Sequence, residues 1–185
     1  MTALLLYAVI HIFVVFYVVH HFRKYNPERL SISRLGTKKS PKYKLLNHSS
    51  FILGVLVTLF GLQLGYLSPY AVVMVTTIGV FLTLSSMFAY DKYPMIHDTV
   101  AGVIVLLCVI FSLSFVWYAL SVDWLPKFLI LVSLGIPICA GMLVFEMFHR
   151  IRRSKFPKDT WYWEWGIYAL EMIFIVTSCF SILKR

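Results

Sequence analysis

The residues best suited to chemistry lie in one short polar stretch between two hydrophobic runs. Residues 90–99 carry two carboxylates and an imidazole, those of Asp91, Asp98 and His97, close to Pro94. Carboxylates and imidazole bind metal ions and transfer protons, and both can act where a chain leaves and re-enters an apolar phase. If the chain has a chemical site, we expect it to include this turn.

A second polar pair offers further metal ligands. Glu146 and His149 are three residues apart, which places them on one face of a helix. The predicted metal ligands are His97, Asp98, Glu146 and His149, with His48 or Glu164 as further donors. A single E-x-x-H lacks the second copy that a di-iron bundle needs. The structural alternative makes Asp98 a helix cap and places His149 at the carboxyl end of a helix dipole.

Two ionisable residues lie deeper in the hydrophobic runs. At about 1.5 Å rise per residue, His11 and Glu171 each lie roughly 15 Å from the basic end of their run. An unpaired ionisable group inside a membrane span costs about 2.5–3.5 kcal/mol or more. We therefore predict an intramembrane pair between His11 and Glu171, which would either fix helix packing or serve proton relay or ligand capture.

The composition sets the fold class that must position these groups. The chain is 60% hydrophobic and 14% charged over 185 residues, against about 45–50% and about 25% in soluble domains. About 20 apolar residues span a bilayer. Six such runs occur, at about 2–22, 47–67, 69–90, 98–122, 125–148 and 161–183. They predict an all-α polytopic membrane protein, a single bundle of six transmembrane helices with short loops.

The distribution of basic residues predicts the orientation. The loops 23–46 and 149–160, together with Lys92, hold fourteen Lys and Arg residues, and the opposite side holds three. By the positive-inside rule the basic loops are cytoplasmic and both termini lie outside the cell membrane. The net charge of +9 then reflects topology and attraction to anionic lipids. Nucleic-acid binding is not needed to explain it.

Small residues and proline predict how the helices pack. Gly54, Gly61, Gly65 and Gly102 offer surfaces for close helix contacts, and Pro137 predicts a bend in the fifth span. The cysteines lie singly in three different hydrophobic runs, which favours small apolar core residues. They are Cys108, Cys139 and Cys179.

Three short motifs carry a family resemblance. They are Ser31-Ile32-Ser33-x-Leu35-Gly36 after the first span, Pro94-x-x-His97-Asp98 at the start of the fourth, and Trp161 with Glu171 in the last. In them the chain resembles an uncharacterised prokaryotic family of six-span membrane proteins, a domain of unknown function. That family is similar in layout to the eukaryotic DRAM-like and GPI-lipid-remodelling proteins. The resemblance implies six transmembrane helices and a polar loop facing the His97 turn, but no established reaction.

Two features depart from the family pattern. The usual aromatic-proline pair before the acidic residue is replaced by Ala89-Tyr90-Asp91, with the proline later, at Pro94. The DRAM-like proteins would also place the amino terminus in the cytoplasm, whereas the charge distribution places it outside.

These patterns leave several functions open. The leading one is a non-enzymatic membrane protein that binds lipid, or acts as a subunit of a larger membrane assembly, through a polar cytoplasmic cap. The predicted cap residues are Ser31, Ser33, Gly36, His48, Asp91, His97, Asp98 and Glu164. The main alternative is a metal-dependent intramembrane enzyme acting on lipid head groups. A small transporter using His11 and Glu171, or a haem protein with His48 and His97 as ligands, are further alternatives.

Overall fold

A computed structural model shows six α-helices in the part of the chain that it describes. The structure describes residues 2–22, 35–64, 69–88, 92–120, 127–151 and 161–183, and for residues 146–151, 161–162 and 178–183 it describes the backbone alone. The helices are α1 (Thr2–His21), α2 (Tyr43–Gln63), α3 (Pro69–Met87), α4 (Pro94–Leu120), α5 (Lys127–Ile151) and α6 (Trp161–Leu183). No strand occurs in these ranges. The predicted all-α bundle is confirmed.

The helices have the length and composition of membrane spans. Within the described ranges, α1 to α5 are each long and apolar enough to cross a membrane. The last helix, α6, has 23 residues, which exceeds the about 20 that a span requires. The chain is therefore a multi-pass membrane protein.

The start of α4 differs from the sequence prediction. The fourth span was expected to begin near residue 98, but α4 begins at Pro94, where proline is tolerated because the first helical N–H groups have no partner in the helix. The backbone N–H of His97 already bonds to the Tyr93 carbonyl oxygen at 2.9 Å. Asp98 is therefore inside the helix, and its interpretation as a helix cap is wrong.

The six helices form a closed ring. Each helix contacts the next one along the chain, and α6 contacts α1. Apolar side chains fill the interior at the end away from the 23–46 loop. They are Leu4, Ala8, Leu53, Val57, Leu64, Val75 and Met172. A smaller cluster of Val15, Val18, Leu35 and Leu46 joins α1, α2 and the segment before α2 at the other end.

The α2 and α3 helices make the closest contact in the ring through a reciprocal arrangement of glycine and threonine. Gly54 faces Thr83, Gly79 faces Thr58, and Gly61 faces Thr76. A Cβ atom added at Gly54 or Gly61 would lie 2.5 Å from Thr83 Oγ1 or Thr76 N, respectively. Small residues of this kind let helix backbones approach each other within a membrane.

The predictions about glycine packing had mixed outcomes. Gly54 and Gly61 are confirmed as close-contact positions, and Gly79 is a further one that was not predicted. The prediction for Gly102 is wrong, because it is exposed and an added Cβ would meet nothing within 4 Å. Gly65 and the Cys179 side chain lie outside the described part. Cys108 is buried, as predicted, whereas Cys139 is half-buried.

Candidate functional site

A cavity of about 220 Å³ lies inside the ring, and residues from all six helices line it. It extends from Gly36, His97 and Glu164, near one end of the bundle, to His11 and Glu171, halfway along α1 and α6. Its polar lining consists of His11, Asn47, Ser50, Ser85, Ser86, His97, Glu164, Tyr168 and Glu171. Its apolar lining consists of Val15, Leu46, Leu82, Ala101, Ile104, Val105, Leu143 and Ile167.

Residues that the sequence analysis placed at two depths meet in this one cavity. His97 and Glu164 belong to the predicted cap, and His11 and Glu171 to the predicted deep pair. Gly36 of the 31–36 loop also lines the cavity, and its carbonyl oxygen accepts a hydrogen bond from Asn47 Nδ2 at 3.1 Å. The described end of the polar loop and the His97 turn therefore face the same space.

His11 has a different partner from the one predicted. Its Nδ1 atom lies 2.7 Å from Ser49 Oγ of α2, and both residues are buried, with exposed fractions of 4% and 3%. The predicted bond to Glu171 is not present among the described contacts. Instead, the His11 ring packs edge-on against the Tyr168 ring of α6, with centroids 5.9 Å apart. His11 thus connects α1 to both of its neighbours in the ring.

Glu171 and Tyr168 bring unsatisfied polar atoms to the deep part of the cavity. Within the described structure, Glu171 Oε1 and the Tyr168 hydroxyl are buried atoms that have no hydrogen-bond partner. The Cys108 thiol of α4 lies near the Glu171 carboxyl group, but a thiol is a weak donor. Buried polar atoms without partners are uncommon in native proteins and call for a physical explanation.

His97 lines the cavity and joins the start of α4 to the end of α3. Its Nδ1–H donates to the Phe88 carbonyl oxygen at 2.9 Å, just beyond the end of α3, and the Phe88 ring packs edge-on against Tyr93. Ser85 and Ser86 donate their hydroxyl hydrogens to the Leu82 and Thr83 carbonyl oxygens of the same helix. Their oxygens keep acceptor capacity toward the cavity, since a hydroxyl oxygen has two lone pairs.

Residues 5–181 match the family described as Protein of unknown function (DUF998). The chain belongs to this family. The family domain therefore covers four helices completely, most of α1 and α6, and every described residue that lines the cavity. The predicted resemblance to an uncharacterised six-span family is confirmed. The likeness to DRAM-like and GPI-lipid-remodelling proteins has no support from the comparisons. No curated protein and no solved structure matches the chain.

Several of the predicted cap residues do not line the cavity of this DUF998 protein. His48 is exposed, and its Nδ1–H donates to the Lys44 carbonyl oxygen at 2.6 Å. Asp98 is also exposed, because neighbouring residues of a helix point in different directions and His97 takes the inward position. Ser31, Ser33 and Asp91 lie outside the described residues. The haem prediction for His48 and His97 thus has one ligand in the cavity and one outside it.

The predicted metal ligands are only partly described. The side chains of Glu146 and His149 lie outside the described part of the chain. Among the side chains that the structure does describe, no group of three or more His, Cys, Asp or Glu is arranged to hold a metal ion. The four-residue metal site stays a prediction. One of its ligands, Asp98, is exposed and does not line the cavity.

Five polar residues of the cavity were not predicted as site residues. They are Asn47, Ser50, Ser85, Ser86 and Tyr168. Ser85 and Ser86 lie near the end of a hydrophobic run, so their depth in the bundle could be predicted from the sequence. Which way they face depends on the rotation of α3 about its axis, and the sequence carries no strong signal of that rotation because the helix is apolar on all sides.

Proposed function

We propose that this protein is a non-enzymatic membrane protein that binds lipid, with the polar head group of the lipid in the central cavity. The observation that carries the proposal is the mixed lining of the cavity, in which polar groups from five helices alternate with aliphatic side chains. Binding sites for amphiphilic ligands have this character, with an apolar wall and a few polar groups that fix orientation.

The size of the cavity supports a head group as the occupant. Its volume of about 220 Å³ is below the roughly 300–1,000 Å³ typical of pockets for drug-sized ligands. A whole lipid would not fit, whereas a head group would, with its acyl chains in the bilayer. The aliphatic lining residues of α3, α4 and α5 provide apolar surface beside the polar groups.

The proposal includes an orientation for the bundle. The cavity lies at the end of the ring that carries Lys38, Lys39, Lys42 and Lys44, all of them exposed. We propose that this end faces the cytoplasm, where exposed lysines attract the anionic lipids of that leaflet.

Cavity filling tests lipid binding. Ala101 lines the cavity, and the next residue, Gly102, is exposed with open space around an added Cβ. We expect Ala101→Phe to occupy part of the cavity and to lower the lipid retained by the purified protein by at least about tenfold. The measurement is native mass spectrometry after detergent exchange, with circular dichroism to check folding.

Gly102→Phe is the matched control, because it adds the same side chain one residue away on the lipid-facing side. It should retain lipid as the wild type does. Ala101→Leu, a smaller step at the same position, should give an intermediate loss. Equal retention by the wild type and both Ala101 variants would show that the cavity does not hold the lipid.

Cysteine labelling tests the orientation. Lys38 and Lys127 are exposed residues at opposite ends of the bundle. In a chain whose native cysteines are replaced, we expect a membrane-impermeant maleimide added to intact cells to label Lys127→Cys and not Lys38→Cys. Permeabilised cells should show labelling at both positions. Labelling of Lys38→Cys from outside would reverse the proposed orientation.

A further inference from the structure

We infer that the head group bound in the cavity carries a primary ammonium group, which donates hydrogen bonds to Glu171 and Tyr168. This inference rests on the proposed lipid binding and names the chemical class of the head group. It combines two independent observations, the charges of the residues that line the cavity and the pattern of unsatisfied polar atoms at its deep end.

The charged side chains among the described residues that line the cavity are acidic, although the protein as a whole is basic. The charged residues among those described as lining the cavity are Glu164 and Glu171, and no Lys or Arg occurs among them. The whole chain, by contrast, has a formal net charge of +9. Inside a protein, charges interact more strongly than in water. An anionic group would be repelled by the deep carboxylate, and a cationic group would be attracted to it.

The unsatisfied atoms at the deep end match the donors of an ammonium group. Within the described structure, Glu171 Oε1 and the Tyr168 hydroxyl have no hydrogen-bond partner although both atoms are buried. A carboxylate oxygen only accepts hydrogen bonds, and a phenolic oxygen can accept one. An ammonium group has three donors, enough for both oxygens, and its positive charge would neutralise the carboxylate.

Ring contacts hold one of these acceptors, Tyr168, in position. Tyr168 and Glu171 are three residues apart on α6, which places them on one face of the helix. The Tyr168 ring packs edge-on against both His11 and Trp165. His11 is held in turn by Ser49. The Tyr168 hydroxyl is therefore carried by a packed ring in the wall of the cavity, and such pre-organisation lowers the cost of ordering the site when a ligand binds.

The nitrogen substituents of the head group provide the sharpest test. Phosphatidylethanolamine has three N–H donors, phosphatidylcholine keeps the positive charge but has none, and phosphatidylglycerol lacks the nitrogen. The full-length protein in nanodiscs containing equal amounts of the three lipids should retain phosphatidylethanolamine preferentially after detergent extraction. We expect a preference over phosphatidylcholine of at least about tenfold, the effect of a charge-assisted hydrogen bond.

Glu171→Gln keeps the shape of the side chain and removes its charge. This variant should lose most of the preference for phosphatidylethanolamine. Glu164→Gln is the matched control, the same substitution on the same helix nearer the end of the cavity, and it should keep more of the preference than Glu171→Gln does. A larger loss of the preference in Glu164→Gln than in Glu171→Gln would overturn the assignment to Glu171.

Lipid retention by the wild-type protein distinguishes failure of ammonium recognition from failure of lipid binding. Equal retention of the three lipids, or a preference for phosphatidylglycerol, would overturn the ammonium inference while lipid binding stands. Retention of no lipid would overturn the proposed function itself. Adding free ethanolamine identifies the source of the ammonium group. If ethanolamine competes with phosphatidylethanolamine, a small amine is sufficient for binding. If it does not compete, the whole lipid is required. Both results support an ammonium site if the preference for phosphatidylethanolamine is present.

Discussion

Gly79→Val is expected to lower the free energy of unfolding by about 3 kcal/mol, the upper part of the range for overpacked positions. A Cβ atom at this position would lie against the backbone N of Thr58 and only 2.8 Å from Thr58 Cα. Backbone atoms cannot rotate away as the end of a side chain can, so α2 and α3 would have to separate. Reversible unfolding in a denaturing detergent, followed by circular dichroism, measures the loss.

Two further variants make this prediction specific. Gly102→Val is the control, since Gly102 is exposed with open space around an added Cβ, and its effect should stay within about 0.5 kcal/mol. Thr58→Ala should not rescue Gly79→Val, because the backbone N of Thr58 remains after its hydroxyl is removed. Full rescue would mean that the hydroxyl alone causes the conflict, and wild-type stability of Gly79→Val would contradict the close contact altogether.

The glycine and threonine contacts also explain why the cavity lies where it does. Gly54 and Thr83 meet at one end of the contact between α2 and α3. Ser50 lies one turn before Gly54, and Ser85 and Ser86 lie two and three residues after Thr83. The close approach of the two backbones therefore carries the serine hydroxyls of both helices to the same wall of the cavity. A variant that separates these helices should disturb lipid retention as well as stability.

Loss of the buried histidine is the second large expected effect. His11→Leu should lower the free energy of unfolding by about 1–3 kcal/mol, because the Ser49 hydroxyl would remain buried without its partner. Ser49 is only 3% exposed and its Oγ lies 2.7 Å from His11 Nδ1. The same detergent unfolding measurement applies, with Ser49→Ala and the double variant beside it.

The double-mutant cycle isolates the hydrogen bond from the change in packing. We expect a coupling of about 0.6 kcal/mol between His11→Leu and Ser49→Ala, the average for hydrogen bonds between membrane helices, and at most about 1.7 kcal/mol. His48→Leu is the control, since His48 is exposed and its Nδ1–H donates to a carbonyl oxygen of its own helix. Additive effects of the two substitutions would show that the bond does not stabilise the fold.

The two histidines illustrate how far sequence reasoning about the site extends. His11 and His48 both lie close to hydrophobic runs, yet His11 lines the cavity and His48 is exposed. The depth of His11 could be predicted from its position along the run, and so could the need for a partner. Its actual partner, Ser49, belongs to α2, and a single sequence contains no information about which hydroxyl of which helix faces it.

Glycine shows the same limit in helix packing. Gly54, Gly61 and Gly102 are equivalent in sequence, as small residues inside apolar runs. The first two lie against α3 and the third is exposed. A helix that is apolar on all sides has no polar face to indicate its rotation, so contacts between helices could not be derived from the pattern of hydrophobic residues.

The sequence by itself determined the membrane class, the all-α fold and the approximate positions of the helices, because an apolar run of sufficient length must satisfy its backbone hydrogen bonds within a bilayer as a helix. It also determined the depth of each polar residue, because depth follows from counting along a helix. Only the tertiary structure decided that Glu171, Tyr168 and His97 share one cavity. That outcome depends on the order of the helices in the ring and on the rotation of each about its axis, which are set by side-chain packing between segments distant in sequence.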